Sequence, residues 1–205
     1  LDLALPPGAV VAVVGESGAG KSTLIKLLAG LYTTGEGEIR IGDRRVTARG
    51  IRDYRARVGL VEQDVALFSG DIAANIRYSR PQSSNDDVER AARRAGLFAT
   101  VRALPLGFST PVSHGGAGLS AGQRQLIALA RAQLVNAHIL LLDEATSQLD
   151  RAAEETLMAA LAEDAHGHGR TALVVAHRLT TARRCDWVAV MAQGRIVEFG
   201  THDAL

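Results

Sequence analysis

Apolar residues fall along the chain in short unbroken runs, separated by segments with helical spacing. Residues 9–14, AVVAVV, read as a buried strand, followed by a glycine-rich loop and a helix over 21–30. Strands follow at 38–41 and 58–61. From about residue 70 to 133 helical patterns dominate, at 71–77, 86–96, 97–104 and 120–134. A strand returns at 138–142, then a helix at 149–163, a strand at 171–176, a short helix, and strands at 187–191 and 195–199. Short continuous apolar strands between helices predict an α/β fold whose sheet is mainly parallel and covered on both faces. The block 70–133 reads as a helical subdomain inserted into that core, within one domain spanning 1–205. The opening Leu1-Asp2-Leu3-Ala4-Leu5 alternates like a strand and lacks an initiating methionine, so the chain is expected to be a segment of a longer polypeptide.

Composition narrows the functions this fold could serve. Hydrophobic residues make up 47% of the 205, enough for a sizeable core. The formal net charge of +1 gives no global field for nucleic acid or anionic membrane, and 4% aromatics is too few for a base-stacking surface. The arginines between residues 44 and 57 interleave with Asp43 and Asp53 and read as a solvated face. No apolar run approaches the ~18–20 residues of a membrane helix. The lone Cys185 has no partner for a disulfide and reads as a small apolar filler. "HGHG" at 166–169 reads as a flexible loop rather than a metal site, since no further ligand lies near it in sequence.

Chemistry first enters at "GESGAGKST", residues 15–23, which matches G-x-x-x-x-G-K-[ST] at Gly15, Gly20, Lys21 and Ser22. Strand before and helix after are the context that pattern requires. The loop Gly15, Glu16, Ser17, Gly18, Ala19, Gly20, Lys21, Ser22 and Thr23 would turn several backbone N–H groups onto one anion. Lys21 places a point charge at the β- and γ-phosphates, and the Ser22 hydroxyl can ligate Mg²⁺. The expected ligands are therefore a nucleoside triphosphate and Mg²⁺. "ILLLDEA", 139–145, ends an apolar strand in two carboxylates. Asp143 can hold Mg²⁺ through water, and Glu144 can orient or deprotonate the attacking water. "VVAH", 174–177, ends another strand with His177, expected at the γ-phosphate, and "VEQD", 61–64, ends one with Gln63. "LSAGQ", 119–123, has the make-up of a second phosphate-binding helix start.

With these residues assembled, the sequence resembles the ATP-binding cassette family, and within it the nucleotide-binding domain of exporters. The resemblance covers essentially the whole chain and rests on "GESGAGKST", "VEQD", "LSAGQRQ", "ILLLDEA", "SQLD" and "VVAHR" in the family's order, with "GDIAANIRY" and "GRIVEFGTHDAL" exporter-like as well. It implies a P-loop NTPase core with a mainly parallel sheet, a small antiparallel β part and the inserted helical subdomain. It also implies that two cassettes, identical or not, pair head to tail with ATP and Mg²⁺ between them. The front loop of one would hold the phosphates, and Ser120, Gly122 and Gln123 of the other would close on the γ-phosphate. That would explain two phosphate-binding helix starts in one chain. Gln63 would ligate Mg²⁺ beside Ser22 and Asp143 and relay nucleotide state to a transmembrane domain of the same or a partner chain. Asp150 in "SQLD" would contact the partner cassette. The catalytic set is then Glu144, His177, Lys21 and Gln63, working at the cytoplasmic face of the inner membrane, with no nucleic acid involved.

The chain also departs from the family pattern. Ala121 replaces the signature's usual first glycine, Gln148 the alanine of "SALD", and "TPVSHGG", 110–116, lacks the acidic residues of the exporter element, with His114 in place of one. The family stacks adenine on an aromatic upstream of the front loop, but none of the fourteen residues before Gly15 is aromatic, and Tyr32 and Tyr54 lie downstream. Three rival readings are weighed against an exporter cassette. A DNA-acting or structural ATPase of this type would carry a coiled-coil or zinc-binding insertion, and neither heptads nor CxxC occur. A cassette that binds without hydrolysing would lack Glu144 or His177. An importer subunit is the nearest competitor; it would begin with its own start and include the upstream aromatic.

Overall fold

The computed structural model describes residues 1–147 and 149–205. Six strands make the central sheet: β1 (Val10–Val14), β4 (Val58–Val61), β7 (Ile139–Leu142), β8 (Thr171–Val175), β9 (Trp187–Ala192) and β10 (Arg195–Gly200). Their spatial order is β10-β9-β1-β8-β7-β4. All neighbours run parallel except the β10–β9 hairpin at one edge. Two small antiparallel pairs stand apart from it. They join β2 (Arg40–Ile41) to β3 (Arg44–Arg45) and β5 (Gly70–Asp71) to β6 (Pro111–Val112).

Alternate residues of each strand point to opposite faces, and both faces are buried. On one face Val11, Val13, Leu141, Leu173 and Val175 pack with Leu24 and Ile25 of α1 (Lys21–Leu28). On the other, Val10, Ala12, Leu140, Leu142 and Val174 share a single core with helices from the middle of the chain. Those helices are α3 (Ile72–Arg77), α4 (Asn85–Arg94), α5 (Phe98–Arg102), α6 (Ala121–Leu134) and α7 (Arg151–His168). Among the described residues there are also the short helices α2 (Ile51–Arg55) and α8 (Leu179–Ala182).

Polar residues at the helix starts explain where the helices begin. Asp71 caps α3 by accepting from Ala74 N, and Ser84 forms a capping box with Asp87 at α4. Gly169, with φ of 68°, closes α7 in the left-handed conformation that favours glycine.

Three sequence expectations change. The helix expected at 149–163 runs on to His168, so "HGHG" is helix up to its last glycine rather than a loop. Its histidines are engaged: His166 Nε2 lies 3.0 Å from Asp186 Oδ2 and His168 Nδ1 lies 3.4 Å from Asp164 Oδ1. Residues 1–9 form no strand, although Leu3 and Leu5 pack against the core and Ala9 O accepts from Ala172 N of β8 at 2.9 Å. The arginine-dense stretch contains β3 and α2, which the charge pattern concealed, while its arginines at 44, 45, 49, 52, 55 and 57 are exposed as expected. Among the described residues no helix is long and apolar enough to cross a membrane.

Candidate active site

Parallel strands in register end together, and here the ends carry the chemistry. Leu142 of β7 is level with Val174 of β8, and Val13 of β1 with Val175. Asp143–Glu144, Ala176–His177 and the loop from Gly15 therefore emerge at one edge, where an α/β sheet places its ligands. Val61 of β4 is level with Leu142, and Asp143 N donates to Val61 O at 2.9 Å, which sets Gln63 on the next strand end along.

The front loop is built by close approach. Gly15 has φ of 152°, and a Cβ there would lie 2.1 Å from Met191 O on β9, so only glycine fits. Ala19 N donates to Glu16 O at 3.2 Å and Gly194 N to Ala19 O at 2.9 Å, fixing the curl of the loop. Lys21, only 6% exposed, donates from Nζ to Gly15 O (2.8 Å) and Glu16 O (2.9 Å). Its ammonium therefore sits in the concavity of the loop, with Glu16, Ser17 and Gly18 exposed on the rim and Thr23 exposed on the helix behind. Gly20 is the N-cap of α1, so its first-turn N–H groups and positive dipole end face the same concavity.

Ser22 Oγ donates to Asp143 Oδ1 at 3.0 Å, reaching from α1 across β8 to the end of β7. A hydroxyl and a carboxylate so placed are hard oxygen donors and fit Mg²⁺. Gln63 is exposed and borders a cavity of about 470 Å³ with Asp64, Arg124 and Gln125. Among the described residues no group of three or more His, Cys, Asp or Glu is placed to hold a metal ion.

Glu144 takes φ of 53°, uncommon for a side chain this size. Ser147 holds that conformation, donating to Glu144 O from both N (3.0 Å) and Oγ (2.8 Å). The turn directs Glu144 Oε1 to 2.7 Å from His177 Nε2. A carboxylate and an imidazole thus meet at the edge that holds the loop and the Ser22–Asp143 pair.

The second helix start lies at the head of α6. Ser120 Oγ accepts from Gln123 N at 3.1 Å, and Gln123 Oε1 accepts from Ser120 N at 2.9 Å. This capping box orients the first turn while Ser120 itself stays exposed. Gly122 also has a packing role: a Cβ on it would point at Leu149 Cδ2 (3.3 Å) and Ala153 Cβ (3.4 Å), so its lack of a side chain lets α6 approach the start of α7. Asp150 caps α7, accepting from Ala153 N at 2.8 Å, which the motif alone did not reveal. Gln148 lies outside the described residues. Tyr54 is buried with its hydroxyl donating to Leu28 O, whereas Tyr32 is exposed beneath the Lys26 ammonium.

An α/β sheet with a glycine-cradled lysine, a serine–aspartate pair and a glutamate–histidine pair at one edge defines a P-loop nucleotide-dependent ATPase. The ABC transporter family pattern matches residues 1–147. The chain is 44% identical over 205 residues to the ATP-dependent lipid A-core flippase of Chromohalobacter salexigens, covering 100% of this chain and 35% of that protein. It is 42% identical over 205 residues to the fatty acid ABC transporter ATP-binding/permease protein of Mycobacterium tuberculosis, covering 100% and 32%. ABC transporter B family member 1 of Arabidopsis thaliana is 44% identical over 203 residues, covering 99% and 16%. Among solved structures, a bacterial Atm1-family ABC exporter with ATP bound superposes with a TM-score of 0.87 at 39% identity, over 96% of this chain and 34% of that one. The chain belongs to the ABC transporter family, as a nucleotide-binding ATPase domain of the exporter type. It spans about a third or less of the length of these relatives.

Proposed function

We propose that this chain binds ATP with Mg²⁺, pairs with a second cassette, hydrolyses the ATP, and so drives export by a transmembrane domain of the same or a partner chain. The cassette would work at the cytoplasmic face of the membrane, without nucleic acid. Residues 70–133 would act as its helical subdomain. The single observation that carries the reading is the Glu144–His177 pair at 2.7 Å, set beside the Ser22–Asp143 pair at one sheet edge. Lys21 and the α1 N-terminus bind and steady the phosphate charge. Glu144 takes the proton of the attacking water, and His177 holds Glu144 in place. Ser22, Asp143 and Gln63 would hold Mg²⁺, which when bound neutralises charge on the phosphate oxygens. The name of the Atm1-family neighbour, which has ATP bound, supports ATP as the nucleotide.

The exposed, capped head of α6 supports a composite site, in which Ser120, Gly122 and Gln123 of one cassette complete the partner's nucleotide pocket. A forced heterodimer of the full-length transporter tests this. With Lys21→Ala in one cassette and Ser120→Asp in the other, one composite site carries both lesions and the other carries none, so activity should survive in part. With both lesions in one cassette, each site is hit once and activity should vanish. The reverse pattern, with activity surviving only when both lesions share one cassette, would show that Ser120 serves its own chain's nucleotide, and equal activity would show that Ser120 serves neither.

A further inference from the structure

Glu154 lies in the first turn of α7 and is only 6% exposed, yet it belongs to none of the nucleotide motifs. Burying a carboxylate is unfavourable unless its oxygens are paired, and both oxygens of Glu154 are. Oε1 accepts from Thr181 Oγ1 of α8. Oε2 accepts from Arg178 Nη1 at 2.8 Å, and the same Nη1 donates to Leu149 O at 3.3 Å. Arg178 is the residue after His177 and the N-cap position of α8. Leu149 turns its side chain toward Gly122, where a Cβ would come within 3.3 Å of its Cδ2. Leu149 thus stands beside the head of α6, and the Glu154–Arg178 pair ties its backbone to the residue that follows His177, the partner of Glu144.

We infer that Glu154 is a positioning residue for hydrolysis, acting through Arg178 to hold the turn that carries His177 against the Leu149 segment. The inference rests on the ATPase reading above and deepens it. Arg178 both donates to the Leu149 backbone and directly follows His177 in the chain. Glu154 restrains its direction, because a charge-assisted hydrogen bond to a buried carboxylate is among the stronger ones available. A shift of the α6 head or of Leu149 therefore reaches the Glu144–His177 pair through a charge-assisted bond rather than through solvent. Glu154 itself touches neither substrate nor reacting atoms.

The test is a double-mutant cycle in the full-length transporter, read by single-turnover hydrolysis of radiolabelled ATP so that the slow His177→Ala protein is still measurable. Glu154→Gln should lower kcat by about 10-fold or more, within the ~10² that a small misplacement can cause, with KM for ATP unchanged within about twofold. In a His177→Ala background the same substitution should change nothing further, because the group it positions is gone. An equal fold-loss in both backgrounds, a rise in KM alone, or wild-type turnover would overturn the inference. Should Glu154→Gln fail to fold, Thr181→Val and Arg178→Lys carry the same cycle with the same expectation. If the wild-type transporter itself turns over no ATP, the functional reading falls and takes this inference with it; turnover with an additive cycle overturns the inference alone.

Discussion

His177 Nε2 lies 2.7 Å from Glu144 Oε1, although 32 intervening positions and a long helix separate them in the chain. The contact is made by strand register: β7 and β8 are adjacent and parallel with Leu142 level with Val174, so the second residue beyond one strand meets the second beyond the other. Glu144 then bends back in a left-handed conformation that Ser147 secures.

Glu144→Gln should bind ATP as tightly as the parent while losing turnover by about 10²–10⁴-fold, the usual contribution of a general base. The amide keeps the shape and can still accept a hydrogen bond from His177 Nε2. Equilibrium binding of labelled ATP alongside steady-state hydrolysis reads both quantities, and wild-type turnover would remove Glu144 from the chemistry.

Gly15→Ala should destabilise the fold as well as the loop. Its Cβ would stand 2.1 Å from Met191 O, which forces β1 and β9 apart. The expected cost is at least about 1–3 kcal/mol, the usual range for overpacking, lowering Tm by roughly 2–4 °C per kcal/mol in a domain of this size. Gly18→Ala is the control: at φ of +79° nothing lies within 4 Å of the added Cβ, so only the left-handed backbone cost of about 1–2 kcal/mol applies. Thermal melts of the pair should separate, with Gly15→Ala the lower.

Ser120 combines a helix cap with an exposed position, and two substitutions split these roles. Ser120→Ala should lose about 1 kcal/mol of stability with the cap. Ser120→Asp keeps a good cap and should melt like the parent, yet it sets a negative charge where the partner's phosphate would dock, so turnover should collapse. Parental turnover in the aspartate variant would mean that no phosphate comes near Ser120.

Cys185 and Tyr54 make the alkaline limb of stability steep. Burial, with a smaller contribution from Asp186, pushes the Cys185 thiol from 9.0 up to about 12. Burial pushes the Tyr54 phenol from 10.0 up to about 12. In both the neutral form is favoured in the fold, so their contribution is intact below the unfolded values and is lost as pH rises through about 12. Denaturation midpoints should hold near pH 8 and fall from about pH 9 upward, and Tyr54→Phe should flatten the part above pH 10. At pH 8 native Cys185 should react with alkylating reagents roughly 10³-fold more slowly than the unfolded chain, since thiolate is the nucleophile. Rapid native labelling would contradict the buried placement.

The strand and helix pattern and the phosphate loop were legible in the sequence because they are local. Apolar runs at 10–14, 58–61, 139–142 and 171–175 carry their own strand signal. Ser84, Ser120 and Asp71 announce helix starts through bonds made within four residues. Gly20, Lys21 and Ser22 sit on one turn between strand and helix, so their grouping needs no long-range contact. The helical run through 166–168 was hidden because glycine and histidine lower local propensity, and packing of α7 on the sheet outweighs it. Charge density masked α2, whose short length leaves only Tyr54 to mark its buried side.

What residue types the site would contain was fixed by the sequence alone, since the loop, the acidic strand end and the histidine strand end are each written in consecutive residues. Which of them touch was decided by strand order and register. Placing β8 between β1 and β7 lets Ser22 reach Asp143 across it and lets His177 reach Glu144 beside it. The same holds for Gly122, whose motif suggests open backbone while the packing of α6 on α7 turns its Cβ direction toward Leu149. It holds most for Glu154, an ordinary helical glutamate in sequence until α8 folds over it and supplies Thr181 and Arg178 from 27 and 24 residues away. Side-chain partners of that kind depend on where separate elements come to rest, and no window of neighbouring residues contains that information.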